Sequence, residues 1–215
     1  MTLESRKLNR YIRKKVTLEY LVYMPCRNAD EKLPLIVFLH GLDKRGSNID
    51  QLKDYGLLNY IGKDKSDFPF VVAVPQCPAD SFWTIERDAV VGLIEELKEK
   101  LNIDEKRVYL TGFSMGGYGT WDLAISHPEL FAAIVPLSEG GLTSKAWLLK
   151  DIPIWAFHGE VDDIIPVKRM ISMVEAVKEA GGNINITIYK DLGHNIMEET
   201  YKNNKIYEWM LRHSK

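Results

Sequence analysis

The sequence predicts an α/β fold built on a mostly parallel sheet with helices on both faces. Three observations lead there. Short, wholly apolar runs such as 35–39 (LIVFL) and 70–74 (FVVAV) suit strands that are buried on both faces. Amphipathic stretches separate these runs, so strand and helix alternate along the chain. The chain has 215 residues, 46% hydrophobic and 27% charged, enough to bury such a sheet and unlike a disordered, collagen-like or mucin-like composition. No repeat, low-complexity tract or linker interrupts the pattern, so residues 1–215 are expected to form a single domain.

Each element has a local reason. Residues 16–24 (VTLEYLVYM) carry β-branched and aromatic side chains up to Pro25, a strand with its stop. The polar stretch 28–34 reads as a turn, and 35–39 is the first buried strand. Two glycines make 40–48 (HGLDKRGSN) a loop, followed by a helix over 49–61. The second buried strand, 70–74, ends at Pro75 and passes into a loop over 75–81. Within 85–101, Val90, Ile94, Leu97 and Leu101 recur every three or four residues with Glu and Lys between them, a helix with one apolar face. A strand at 108–110 precedes a helix at 117–126, which His127-Pro128 ends. A strand at 131–137, a short helix at 144–150 and a strand at 154–157 come next. Pro166 can open a helix and Gly181-Gly182 can close it. A strand at 184–189 and a helix at 198–211 complete the series.

Charge and composition exclude several classes of function. Lys and Arg total 28 against 30 Asp and Glu, a formal net charge of −2, which gives no global field for nucleic acid or an anionic membrane. The local excess of Arg6, Lys7, Arg10, Arg13, Lys14 and Lys15 reads as a solvated edge strand guarded by charge. No apolar run approaches the ~18 residues that cross a bilayer. The N-terminal stretch lacks the apolar core of a signal peptide, so a cytoplasmic location is expected. Cys26 and Cys77 have no His or Cys partner at metal-ligand spacing and read as free thiols in a reducing compartment, with no metal and no cofactor.

Ligands of such sheets bind at the carboxyl ends of the strands. After the 108–110 strand comes Thr111-Gly112-Phe113-Ser114-Met115-Gly116-Gly117, a Gly-x-Ser-x-Gly pattern between a strand and a helix. There a sharp turn holds the serine hydroxyl above the sheet, and small residues on either side let strand and helix approach. A serine needs a base. Of the five histidines, His194 lies in a loop between the last strand and the last helix. His213 is in the tail, His127 ends a helix, and His158 ends a strand with its ring expected to pack under the loop. The base needs an acid, and the segment after the 154–157 strand offers Glu160, Asp162 and Asp163. Of the adjacent pair, one carboxylate at most faces the histidine. An oxyanion hole would take the N–H of Met115 and one from His40-Gly41-Leu42, with Leu42 favoured.

With these residues in place, the chain resembles the α/β-hydrolase superfamily, and more closely the compact bacterial carboxylesterases related to the prolyl-oligopeptidase, feruloyl-esterase and phospholipase/carboxylesterase groups. The matching blocks are YLVYMP (20–25), LPLIVFLHG (33–41), VAVPQCP (72–78), GFSMGGYGTW (112–121), WAFHGEVDDIIP (155–166) and GHN (193–195). The resemblance implies an α/β-hydrolase fold with Ser114, Asp162 and His194 as a triad, and it implies that Trp83 lines the site. One departure is Leu42-Asp43-Lys44-Arg45, bulkier and more charged than the small or glycine-rich stretch that often follows HG in similar proteins. Only 47 residues separate Ser114 from Asp162, which leaves no room there for a large cap domain. The expected activity is hydrolysis of small or accessible esters through an acyl-enzyme, the ester being a small molecule, aryl or carbohydrate-linked esters included, with a rate that falls as His194 becomes protonated. An amide or small-peptide hydrolase, an acyltransferase and a non-catalytic binding protein of the same fold are the alternatives.

Overall fold

The structure, a computed structural model, describes residues 4–5, 7–10, 13–25, 31–61 and 68–215. Arg6, Cys26 and part of the 28–34 turn lie outside the described residues. Among the described residues seven strands form one sheet: β1 (Glu19–Tyr23), β2 (Leu33–Leu39), β3 (Val71–Gln76), β4 (Ile103–Phe113), β5 (Ala133–Leu137), β6 (Ile154–Gly159) and β7 (Ile184–Tyr189). Their order is β1-β3-β2-β4-β5-β6-β7. All pairs are parallel except β1 with β3. The helices are α1 (Gly56–Ile61), α2 (Arg87–Lys100), α3 (Met115–Ser126), α4 (Lys168–Glu179), α5 (Met197–Tyr201) and α6 (Asn204–Leu211).

The pleat of β2 shows how the core divides. Leu35, Val37 and Leu39 face one way, into a cluster with Val90, Ile94, Trp121 and Met173 from α2, α3 and α4. Ile36 and Phe38 face the other, among Leu57, Ile61, Tyr201, Ile206 and Met210 from α1, α5 and α6. Every residue of β2 is buried, as expected of a strand covered on both faces.

Several elements differ from expectation for identifiable reasons. The helix over 49–61 is broken into a 3-10 turn, Ile49–Leu52, and the short α1. Gly56 has φ +54, and a Cβ there would stand 2.2 Å from Phe38 Cζ, so tertiary packing sets the break. The helix over 198–211 divides where Asn203 caps α6 by accepting from Lys205 N–H. The strand at 108–110 extends through eleven residues, Ile103–Phe113, with Ile103 pairing Leu33 of β2 ahead of a register shift. Among its described residues the basic run does not form the edge strand: the pairing of β1 with β3 starts at Glu19, and Lys14 instead meets Asp88 on α2 at 3.0 Å. The segment between β5 and β6 holds only a seven-residue 3-10 helix, Thr143–Leu149, so no cap domain is inserted there. Among the described residues no helix is long and apolar enough to cross a membrane.

From β2 the chain passes to β3 on one side and then to β4 on the other. The carboxyl ends of β2 and β4 therefore flank a topological switch point, where such sheets form their crevice.

Candidate active site

Ser114 joins β4 to α3 with φ 56 and ψ −118, a strained conformation for a residue with a side chain. Three glycines make the turn possible. A Cβ on Gly112 would lie 2.3 Å from the Gly116 carbonyl oxygen, one on Gly116 would lie 1.9 Å from that of Leu39, and one on Gly117 would lie 2.2 Å from that of Leu137. The Ser114 N–H donates to the Leu137 carbonyl at 3.0 Å, which ties the turn to the end of β5.

The loop after β7 brings His194 over this turn. His194 Nε2 is 2.8 Å from Ser114 Oγ, and Nδ1 is 2.8 Å from Asp162 Oδ2. With Nδ1 donating to the carboxylate, Nε2 is left to accept from the hydroxyl. The ring rests on Phe113, centroids 5.0 Å apart. Asp162 is buried while Asp163 is exposed, so Asp162 is the neighbour that turns inward. Its Oδ1 accepts from the N–H groups of Ile164 at 3.0 Å and Ile165 at 2.8 Å. Burial pushes this carboxyl up, but the hydrogen bonds from His194, Ile165 and Ile164 outweigh it and hold the group below the usual carboxylate range.

Leu42 and Met115 each begin a helical turn, the 3-10 turn Leu42–Lys44 and α3. The first N–H groups of such turns have no partner inside the helix. Beneath the first of them sits His40, fully buried. Its Nε2 accepts from Cys77 N–H at 3.0 Å and its Nδ1 donates to the Gly41 carbonyl at 2.7 Å. Burial lowers its pKa to about 4, so the ring is neutral at neutral pH. The bulkier Leu42–Arg45 segment is also held from outside. Gln76 Nε2 donates to the Lys44 and Asn48 carbonyls, and Arg45 donates to the Ser81 carbonyl while its guanidinium covers the Phe82 ring.

Trp83 requires a correction. It is 2% exposed, its indole N–H donates to the His40 carbonyl at 2.9 Å, and its Cβ packs where Gly119 leaves space. The structure places it as a strut under the loop rather than as a wall of the site. Exposed apolar side chains on the connections after β2, β3, β5 and β6 include Leu42, Phe82, Ile85, Leu142, Trp147, Val161 and Ile164. Ser114 and Met115 themselves are partly exposed, so the site is open.

Three further residues stand beside the triad: Ser138 and Glu139, which the sequence reading passed over, and His158, which it expected only to pack under the loop. Ser138, just past β5, has φ 52 and donates its hydroxyl to the His194 carbonyl at 2.8 Å. The end of β5 thus braces both Ser114 and His194. Glu139 is buried, accepts from Gly140 N–H and pairs with Arg169 at 2.8 Å. Burial pushes its carboxyl up, against the opposing pull of Gly140, Arg169 and His194. His158 Nε2 lies 3.1 Å from Asp162 Oδ2, so it does more than fill space under the loop. For Ser138 the only available signal was its place after a strand. For His158, the spacing to Asp162 was visible but not its meaning. Cys77 is a free, buried thiol pushed up to about 12 by burial. Among the described residues no group of three His, Cys, Asp or Glu side chains stands ready to hold a metal.

Comparison with known proteins places the family and the fold. The family model described as Phospholipase/Carboxylesterase matches residues 86–208. A bifunctional acetylxylan esterase/xylanase from Neocallimastix patriciarum is 32% identical over 155 residues, covering 69% of this chain and 22% of that protein. The crystal structure of a thermostable esterase superposes with a TM-score of 0.80 at 36% identity, covering 92% of this chain and 60% of the other. A feruloyl esterase module from Clostridium thermocellum, complexed with sinapinate, gives a TM-score of 0.70 at 18% identity over 85% of this chain and shares the fold. The chain therefore spans less than two thirds of the length of the first two relatives.

Proposed function

This chain belongs to the phospholipase/carboxylesterase family, and from that premise we propose that it is a cofactor-free serine carboxylic-ester hydrolase acting through Ser114, His194 and Asp162. One observation carries the reading: the unbroken chain of contacts from Ser114 Oγ to His194 Nε2 and from His194 Nδ1 to Asp162 Oδ2, each 2.8 Å. His194 takes the Ser114 proton as Oγ attacks the ester carbonyl carbon. The tetrahedral oxyanion is held by the N–H groups of Leu42 and Met115, each such donor contributing ~2.7–4 kcal/mol. His194 then gives its proton to the departing alkoxide, and the acyl group stays on Ser114. Water repeats the sequence, with His194 again as base, and releases the acid. Asp162 keeps the imidazole in the Nδ1–H tautomer and offsets its charge when it is protonated.

The open site with apolar side chains on the surrounding loops suits small or accessible esters, aryl and carbohydrate-linked ones included. The likeness to an acetylxylan esterase supports the same class. The test is a nitrophenyl ester series from acetate upward, a ferulate ester and a matching anilide, with wild type and Ser114→Ala. Wild type should prefer ester to anilide, and Ser114→Ala should lose activity by at least about 10³-fold. Equal rates in the two proteins would defeat the reading, and a preference for the anilide would move it to an amidase. Transfer to an added alcohol would make it an acyltransferase.

A further inference from the structure

His158 is the penultimate residue of β6, and its side chain and that of Asp162 are both wholly buried. Its Nε2 lies 3.1 Å from Asp162 Oδ2 and 2.9 Å from the Ile165 carbonyl oxygen. Both are acceptors, so Nε2 carries the proton. Nδ1 is buried and has no hydrogen-bond partner among the described residues. A second proton there would be a buried N–H with nothing to accept it, a costly arrangement, so the ring is neutral. Burial favours the same state and lowers the pKa. Asp162 Oδ2 therefore accepts a hydrogen bond from His194 Nδ1 at 2.8 Å and lies 3.1 Å from His158 Nε2, whose N–H donates to the Ile165 carbonyl. Ile165 closes the arrangement, donating its N–H to Asp162 Oδ1 and accepting from His158 at its carbonyl.

We propose that His158 is a positioning residue for the acid of the triad: its Nε2–H, bonded to the Ile165 carbonyl, fixes the turn whose N–H groups hold Asp162 facing His194, and its closeness to Oδ2 draws part of that oxygen's negative charge away from His194. The inference rests on the catalytic reading above. The titratable and charged groups facing this pair are His194, Glu139 and, through the ion pair with Glu139, Arg169. Among the described residues His194 donates the hydrogen bond to Oδ2, and the His158 Nε2–H is the other imidazole dipole beside it, at 3.1 Å. Removing His158 thus has two consequences at once. The carboxylate loses its fixed orientation, which slows the reaction. Its charge then falls on His194 alone, which favours the protonated base.

Kinetics against pH on wild type, His158→Met and His158→Gln read both consequences. His158→Met should lower kcat about 10- to 100-fold, as small misplacements of catalytic groups do, with KM unchanged. The acid limb of its kcat/KM profile should move to higher pH. His158→Gln keeps an amide N–H at the reach of Nε2 and should restore most of kcat and the wild-type limb. A histidine that only packs would lower thermal stability in both variants and move the limb in neither, and that result overturns the proposal. So does a limb displaced alike by Met and Gln, or one displaced to lower pH. If His158→Met does not fold, the wild type decides: ¹⁵N-edited NMR at neutral pH should find the His158 ring neutral and protonated at Nε2. The Nδ1–H tautomer or a charged ring overturns the proposal. Ser114→Ala in the same assay separates the failures. Hydrolysis that survives it defeats the catalytic reading, whereas Ser114-dependent hydrolysis with a wild-type-like His158→Met defeats this inference alone.

Discussion

Asp162 and Asp163 are chemically identical neighbours, yet the fold gives them opposite surroundings. Asp162 is buried, with two backbone N–H groups on one oxygen and two imidazoles beside the other, while Asp163 is exposed. Asp162→Asn should therefore lower kcat by about 10³- to 10⁴-fold, because an amide N–H facing His194 Nδ1 disturbs the tautomer. Asp163→Asn should leave kcat unchanged, and parallel steady-state assays check both. Ser114 and His194 were legible in the sequence because their signals are local: a serine between glycines at a strand–helix junction, and a histidine in a loop after a strand. Asp162 was legible only through resemblance, since the backbone turn that chooses between two adjacent carboxylates leaves no mark in composition. Trp83 was misplaced for a related reason. Phe82 and Trp83 are both aromatic, and the hydrogen bond to the His40 carbonyl that draws Trp83 inward joins residues far apart in the chain.

At the scale of elements, the elbow depends on how closely α3 approaches the sheet. Gly116 is the tightest point, with a hypothetical Cβ 1.9 Å from a backbone carbonyl of β2. Backbone there cannot give way as a side chain would, so Gly116→Ala should destabilise the protein by about 3 kcal/mol or more, measured by urea unfolding. The end of β5 makes a finer prediction. Ser138→Ala removes the hydroxyl that holds the His194 carbonyl and keeps the φ of 52. It should cost about 1–2 kcal/mol. Ser138→Gly loses the same bond but relieves the backbone, so it should be more stable than the alanine variant by about 1 kcal/mol. Equal stabilities would show that the left-handed conformation carries no strain. Strand and helix identities were legible because the apolar runs and the 3.6-residue periodicity are strong. The breaks at Gly56 and Asn203 were not: one is set by the Phe38 ring from another element, the other by a single capping side chain.

For the whole molecule, the buried neutral histidines tie stability to pH. His40 is lowered from 6.5 to about 4. Above 6.5 the ring is neutral both folded and unfolded, and stability is complete. Below 6.5 the unfolded chain takes up a proton that the folded protein refuses, so stability falls until about 4 and then levels off. Asp162, held below its ordinary value, acts in the same direction further down: its contribution is present above the unfolded carboxylate value of ~3.9 and is lost as pH falls through its folded value. Between about pH 7.5 and about pH 4.5, His40 alone should cost about 2–3 kcal/mol. Urea midpoints at the two pH values, with His40→Gln to flatten the difference, check this. The overall architecture was the most legible feature, because alternation of buried strands and amphipathic helices constrains the whole sheet at once. The central claim is that catalysis passes through an acyl group on Ser114. Its most direct test is mass spectrometry of the protein quenched in acid during turnover of p-nitrophenyl acetate. One acetyl group should appear on the peptide carrying Ser114 and be absent in Ser114→Ala. Turnover with no acetyl group on Ser114, or with the label on another residue, would contradict it.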